Sequence, residues 1–554
     1  MTVGKRQRGP ADKAGMGDRA AKTVPPDQAG GTAPADQAAE TRPPGQAGET
    51  TPAGQAGETA PAGQAGKAGP DPVAWLIALA AFAAYGTLSV FRYLRLDPGS
   101  WDLGIYTEYV KQLAHLRAPV VPIRGAGFNL LGDHFQPIVG LIAPFFRLFP
   151  SPATLLIAQS LLTAVSVVPV CRAAQEMLGT GTSRAIGLAY GFSWGLQQMI
   201  IFDFHEIAFA VPLLAFSLSA LLRRRPISAV AWALPLVFVK EDQGFTVAAI
   251  GLLMTVIAVD RAQRRRPLAG LMLVCWGMAW SVLAIAIIVP HFNPGHQYTY
   301  WSDGGVIAPG GHAALASLAG QLASGGHQKI WTTIMVLLPT GFLALRSPIA
   351  LVAAPGLLLR FISTNSYFWG VNWHYNATMM PVVFLAAIDA MARLRASAAN
   401  RARTGRVRRL RAAAVARDAA AGMTRYAAAG MVIIAAVLAF RFPLDGLWDS
   451  RTYAISPHVS AERAAMARVP DGTTVEATLS MLAPLAARDD TFWVGTSDGV
   501  APRYVVFDAA NSGFSPPPTD ILAFVDQRHN GVFYRQVFEE SDVYVFRRAG
   551  RTGG

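Results

Sequence analysis

Between residues 73 and 440 the sequence is a succession of apolar runs, at 73–91, 153–171, 184–201, 207–222, 227–239, 243–259, 268–290, 329–345, 347–362, 375–392 and 426–440. About 20 helical residues cross a hydrocarbon core about 30 Å thick. A water-soluble domain has no way to bury so many such runs at once. The expectation is an α-helical multi-pass membrane protein with about 11 transmembrane helices over residues 71–440. Composition agrees, at 52% hydrophobic against 15% charged residues. Cys171 and Cys275 both fall inside apolar runs, so no disulfide framework is implied.

The formal charge of +13 points to lipid and not to nucleic acid, because the basic residues sit between apolar runs and in the N-terminal tail. The basic stretches are "LLRRRP" at 221–226, "DRAQRRRP" at 260–267, Arg346, and 393–425 with ten Arg against one Asp. Placing all of them in the cytoplasm sets the orientation. The 15-residue stretch "FQPIVGLIAPFFRLF" at 135–149, with two prolines, then reads as a re-entrant or interfacial helix. The result is a protein of the cytoplasmic membrane with its N-terminus inside and its C-terminus outside. Long outer loops are expected at 92–152 and 291–328.

Residues 1–70 hold almost no large apolar side chain, and they repeat with period nine, as in "PAGQAGETA" and "PAGQAGKAG". Such a segment has nothing with which to form a core and is expected to be a disordered tail. Residues 441–554 change character again. Short β-branched and aromatic runs, "TVEAT", "TFWVG", "RYVVFD" and "SDVYVFRR", alternate with the helical patterns "AERAAMARV" and "TDILAFVDQRH". They predict a small extracytoplasmic α/β domain.

With orientation fixed by arginines alone, the acids and histidines fall on the opposite side. Asp97 and Asp102 follow the first run, "GDHF" supplies Asp133 and His134, and "FDFHE" supplies Asp203, His205 and Glu206. "VKEDQG" supplies Lys240, Glu241 and Asp242, "NWHYN" supplies His374, and the 291–328 loop adds His291, His296, Asp303, His312 and His327. Ionisable groups near hydrocarbon depth are costly and commonly line a functional cavity. Each also has a plainer reading: Asp102 as a helix cap, "FDFHE" as a polar hairpin, "VKED" as a local ion pair.

The motifs "WDLGIYTEYVKQL", "GFNLLGDHFQPIVGLIAPFFRLFPSPATLLIAQ", "FDFHEIAFAVPLLAFSL", "VKEDQG" and "HYNATMMPVVFLAAIDAMARL", in that order, resemble the bacterial predicted-membrane-protein family called domain of unknown function 2079, over about residues 75–500. Its architecture is similar to that of the C-type (GT-C) glycosyltransferases, multi-pass enzymes with a lipid-phosphate sugar donor and an acidic base after the first span. The resemblance implies that Asp102 is the base, in a "WDLG" context with a single acid. It also implies a lipid-linked sugar donor and an extracytoplasmic glycan or protein acceptor as partners, alongside the bilayer. One carboxylate suffices for such chemistry, because the phosphate already leaves readily. Cationic help for the phosphate would come from Lys240, Arg360, His205 or His374, and Asp97, His134, Glu206, Glu241 and Asp242 complete the candidate binding set. No cofactor is demanded; a divalent cation held by Asp203, His205 and Glu206 is the one candidate. The "FQPIVGLIAPFF" segment is expected to wall the lipid groove.

Two rival classes are a transporter or lipid flippase working through Lys240, Glu241 and Asp242, and a non-catalytic envelope scaffold. A transporter is disfavoured, since no inverted repeat is visible and the ionisable groups sit at one face instead of the midplane.

Overall fold

A computed structural model of the protein describes residues 71–549, apart from 99, 260–264, 303–317, 404–409, 498, 513–517 and 530. The tail 1–70, Asp303, His312 and parts of the basic loops at 260–267 and 393–425 lie outside the described residues. Helical segments stand in each of the eleven apolar runs. Among the described residues four helices are long and apolar enough to cross a membrane: Pro72–Leu94, Pro152–Leu178, Pro267–Phe292 and Asp418–Ala439. A fifth span results if Ser366–Asn376 and Met379–Ala398, bent by 69°, count as one.

The expected eleven therefore exceed what helix length carries, and the cause lies in prolines, glycines and turns. The 184–201 run breaks at Phe192–Ser193 into Thr180–Gly191 and Trp194–Ile201. The 329–345 run leaves its helix at Leu337 for 3-10 turns around Pro339 and Gly341, the latter at φ +55°. The 135–149 stretch is a 3-10 turn, Pro137–Ile142, running into the short helix Ala143–Leu148. Ile207–Leu222, Pro226–Phe238 and Pro348–Ile362 are among the shorter apolar helices.

Helix starts are written locally. Asp71 accepts from the Val73 N–H at 3.1 Å and pairs with Arg184 at 2.9 Å, ahead of Pro72 in the first turn. Outward faces stay apolar: Leu76 is 62% exposed and Met272 64%. A contiguous stripe of that kind needs lipid or a partner against it.

The tightest helix pair is Gln243–Val259 against Arg265–Leu283, and glycine makes it. A Cβ at Gly251 would stand 2.5 Å from the Gly270 carbonyl oxygen, and one at Gly270 would stand 2.6 Å from that of Gly251. Gly244 and Gly277, seven residues away on each helix, repeat the reciprocal contact. Small residues thus let two backbones touch, the device by which membrane helices associate. Gly251→Leu should destabilise the protein by about 2–3 kcal/mol or more through overpacking. Gly430→Leu, where a Cβ meets nothing within 4 Å, should be close to neutral. Thermal unfolding of the purified variants in lipid checks both.

All described residues belong to one unit, Gly66–Gly554. Its C-terminal part is a five-stranded sheet of β1 (Thr474–Ala477), β2 (Asp490–Trp493), β3 (Tyr504–Asp508), β4 (Tyr534–Glu540) and β5 (Val543–Arg548). The order is β2-β1-β3-β5-β4, with β2, β1 and β3 parallel and the other pairings antiparallel. The helix Leu479–Ala486 crosses over from β1 to β2. Val475, Met481, Val506 and Val545 join the same buried core as the apolar helices, while Val505, Phe507, Val525 and Phe546 form a separate small core on the other face.

The helix Asp102–Ala114 is tied to this sheet. Lys111 donates to the Asp489 carbonyl at 2.5 Å and pairs with Glu108 at 2.9 Å. Burial pushes the Glu108 carboxyl up to about 7, against the opposing pull of Lys111. With a folded pKa above the unfolded 4.5, the native state binds more protons than the unfolded state between these values. The contribution of this group is therefore greatest below about pH 4.5 and is lost as pH rises through 7, by on the order of 3 kcal/mol. Glu108→Gln should flatten that fall, read as melting temperature between pH 4.5 and 8.

Candidate functional site

The apolar helices carry acids and histidines at one end, and the fold gathers those ends. Ile207–Leu222 starts directly after Glu206 and finishes at Arg223; Gln243–Val259 starts after Asp242; Met379–Arg403 starts one turn after His374. Together with the start of Asp102–Ala114 they surround a cavity of about 390 Å³, a volume typical of small-molecule sites. Asp102, His134, His205, Lys240, Glu241, Asp242, Arg360 and His374 all line it.

Asp102 is the first residue of its helix, and its carboxylate bonds to a side chain: it accepts from the Ser100 hydroxyl, whose oxygen accepts from the Asp102 N–H at 3.0 Å. His205 Nε2 lies 3.6 Å from Asp102 Oδ2 and makes no hydrogen bond to the described residues. The His205 ring stacks on His374 with centroids 3.6 Å apart, and on Phe202 at 5.2 Å. His374 Nδ1 is likewise buried without a partner among the described residues.

Behind this pair, Glu206 is fully buried, with Oε1 3.1 Å from Lys240 Nζ. Its other oxygen accepts from the Tyr106 hydroxyl, which lies 2.9 Å from the Gln136 amide oxygen. Burial opposes the charge on Glu206, but Lys240 and His205 outweigh it and hold the carboxyl well below the usual carboxylate range. Glu241 forms a second centre, accepting from Tyr298 at 2.8 Å and the Phe135 N–H at 3.0 Å, with His134 Nδ1 at 2.7 Å. Burial is again overridden, here by His134 and Lys240, and Glu241 falls to about 2. His134 stacks on Tyr300 at 4.3 Å, and Tyr300 and Arg124 both donate to Asp133, at 3.0 and 3.1 Å.

Arg360 differs from the other cations. Its guanidinium donates to the Phe368 and Gly370 carbonyls at 2.8 and 3.0 Å and to the Asn376 amide oxygen at 3.0 Å. Among the described residues no carboxylate pairs with it. It is a buried positive charge held by neutral acceptors at the cavity wall.

Three expectations are corrected. Asp97 is not in the cavity; half-exposed, it pairs with Arg95 at 2.9 Å because the chain turns outward at Leu96. Asp203, His205 and Glu206 do not converge as a cation site among the described residues. The Asp203 backbone is left-handed at φ +66°, and its carboxylate accepts from the Ser100 N–H at 2.9 Å, so it serves the loop before Asp102. Of the "FQPIVGLIAPFF" segment only Gln136 lines the cavity.

Several residues that shape the site were not singled out in the sequence: Arg124, Gln136, Gln159 and Asn376. Gln159 clamps the "FDFHE" turn, donating to the Asp203 carbonyl at 2.6 Å and accepting from the His205 N–H at 2.9 Å. A glutamine amid the apolar 153–171 run is a signal that could have marked it. Gly132 is fixed by sterics, since a Cβ there would come within 2.5 Å of the Phe292 backbone.

Among solved structures, the chain is similar to ArnT from Cupriavidus metallidurans bound to undecaprenyl phosphate, with TM-score 0.48 and 11% identity over 84% of this chain and 97% of that one. It is also similar to the Archaeoglobus fulgidus oligosaccharyltransferase in complex with Zn and sulfate, with TM-score 0.42 and 13% identity over 85% and 73% of the two chains. A third is arabinosyltransferase EmbB from Mycobacterium smegmatis, with TM-score 0.36 and 14% identity over 71% and 43%. No curated protein matches the sequence. Residues 92–498 match the family described as predicted membrane protein (DUF2079), and the chain therefore belongs to this family of predicted membrane proteins.

Proposed function

We propose that the protein is an integral membrane glycosyltransferase that moves a sugar from a polyprenyl-phosphate donor to an extracytoplasmic acceptor. The observation that carries the reading is the pairing, across one cavity, of a carboxylate bound by no full cation, Asp102, with a buried cation bound by no carboxylate, Arg360. Of the nearby charges, Glu206 is matched by Lys240, Glu241 by His134 and Asp133 by Arg124, while Asp242, which also lines the cavity, accepts from the neighbouring Gln243 amide at 3.1 Å.

In this reading Asp102 takes the proton of the acceptor hydroxyl, whose oxygen bonds to the anomeric carbon as the carbon–oxygen bond to phosphate breaks. The departing phosphate carries the electron pair and needs positive charge beside it. Arg360 supplies that charge, and Lys240 adds field from its ion pair. The Ser100 hydroxyl, which donates to the carboxylate, holds it in place, and His205 Nε2 stands 3.6 Å away. Leu214, Val352, Leu359 and Val382 give the cavity an apolar side for the first isoprene units. About eleven spans, a cytoplasmic N-terminus and an outward-facing sheet complete the proposed disposition, which the arginine-bearing loops support.

The test separates transfer from transport. In detergent micelles, which have no second compartment, the protein should consume a polyprenyl-phosphate sugar and release polyprenyl phosphate. Movement of intact donor across a vesicle membrane, with no consumption in micelles, would favour the flippase instead.

A further inference from the structure

A second cluster of titratable groups lies apart from the cavity, between the helix Pro457–Met466 and the sheet. His458 and Glu462 are four residues apart and share one helical face. They look onto Asp508, the last residue of β3. In parallel α/β sheets, ligands are bound outside the carboxyl ends of strands. His458 Nε2 is 3.0 Å from Asp508 Oδ2, and one donor atom from each of the three residues lies within 4.8 Å of the others. Glu462 is 1% exposed, and its Oε1 has no hydrogen-bond partner among the described residues.

We propose that His458, Glu462 and Asp508 bind one divalent transition-metal ion, zinc in the first instance. Ligands about 2.0–2.2 Å from a tetrahedral zinc stand about 3.3–3.5 Å from one another. The cluster is within a small side-chain adjustment of that spacing. Two ionised carboxylates against a single protonated imidazole would leave a net negative charge, which either a proton held by Glu462, whose carboxyl burial pushes up to about 7, or a divalent ion with neutral histidine would cancel. Calcium fits less well, because it takes six to eight oxygen ligands.

The surrounding groups resemble the outer support of a metal site. Asp508 Oδ1 accepts from the Ala510 and Asn511 N–H groups at 2.9 and 3.2 Å, and the Asn511 amide donates to Oδ2 at 2.9 Å. The Asn511 amide nitrogen also lies 3.3 Å from His458 Nε2. A bound ion would fasten this helix to β3, and it does not depend on the proposed transfer reaction.

The test is zinc titration of the full-length protein, purified in detergent without a histidine tag and stripped by chelator, with metal content and melting temperature as readouts. One equivalent should be retained after dialysis and should raise the melting temperature. His458→Ala and Glu462→Gln should each weaken binding at least about tenfold and abolish the rise. Glu462→Gln is nearly isosteric, so it remains informative should His458→Ala fail to fold. No saturable binding by the wild type, or undiminished binding by a well-folded variant, overturns the proposal.

Discussion

Lys240→Met should destabilise the protein by about 3–5 kcal/mol, the usual effect of removing one partner of a buried ion pair. The loss comes from what remains, because Glu206 is fully buried and would keep only Tyr106 and His205 as neighbours in place of the ammonium 3.1 Å away. A second substitution isolates that cause. In Lys240→Met with Glu206→Gln the orphaned charge is gone, and most of the lost stability should return. Activity should not return with it, if Lys240 also helps to stabilise the departing phosphate. Thermal unfolding in lipid gives the stability, and donor turnover by the same preparations gives the activity. Recovery of both in the double variant would make the pair purely structural.

Asp102→Asn should leave folding nearly unchanged and reduce transfer about 10²–10⁴-fold, the contribution of a positioned general base. Asparagine keeps the shape and can still accept from the Ser100 hydroxyl, so the fold loses little. What it loses is the ability to take a proton. Ser100→Ala offers a graded comparison: it frees the carboxylate from the Ser100 hydroxyl without removing it, and should change rate much less than Asp102→Asn. Equal melting temperatures with widely separated rates would assign Asp102 a chemical role; parallel losses would return it to the helix-start role that its position also suggests.

The fold and the site were legible in the sequence to different degrees, for physical reasons. Hydropathy located the helical runs, because an apolar run reports burial in lipid or protein whatever its neighbours do. It did not show where single helices break, because a run such as 347–362 contains Pro348 and Pro355, and proline permits a 3-10 turn, Pro348–Ala353, before the helix Ala354–Ile362. In the C-terminal region four of the five strands announced themselves by β-branched and aromatic runs. The edge strand β4, "YRQVFEE", did not, since five of its seven side chains are exposed and three of those, Arg535, Glu539 and Glu540, carry charge suited to an edge.

The site was readable as a set of residues on one side but not as a geometry. Asp102, His205, Lys240, Glu241 and His374 converge as their shared side suggested. Asp97, five residues before Asp102, does not, because Leu96 adopts a left-handed backbone and turns the chain. Asp203 is adjacent in sequence to the "FHE" residues it was grouped with, yet its own left-handed backbone sends its carboxylate to Ser100. Gln159 and Gln136 act through partners 30 or more residues away, and such pairing leaves no trace in local spacing; Asn376 accepts from Arg360, 16 residues before it. The arginine that matters most to the proposed phosphate site, Arg360, was visible as a charge near the end of an apolar run; its lack of a carboxylate partner was not.

The most direct measurement is transfer of radiolabelled sugar from a panel of polyprenyl-phosphate donors by the purified protein in lipid, with wild type and Asp102→Asn side by side. The account predicts label moved from at least one donor by the wild type and almost none by the variant. Absence of transfer from every donor, or equal transfer by both proteins, would contradict it.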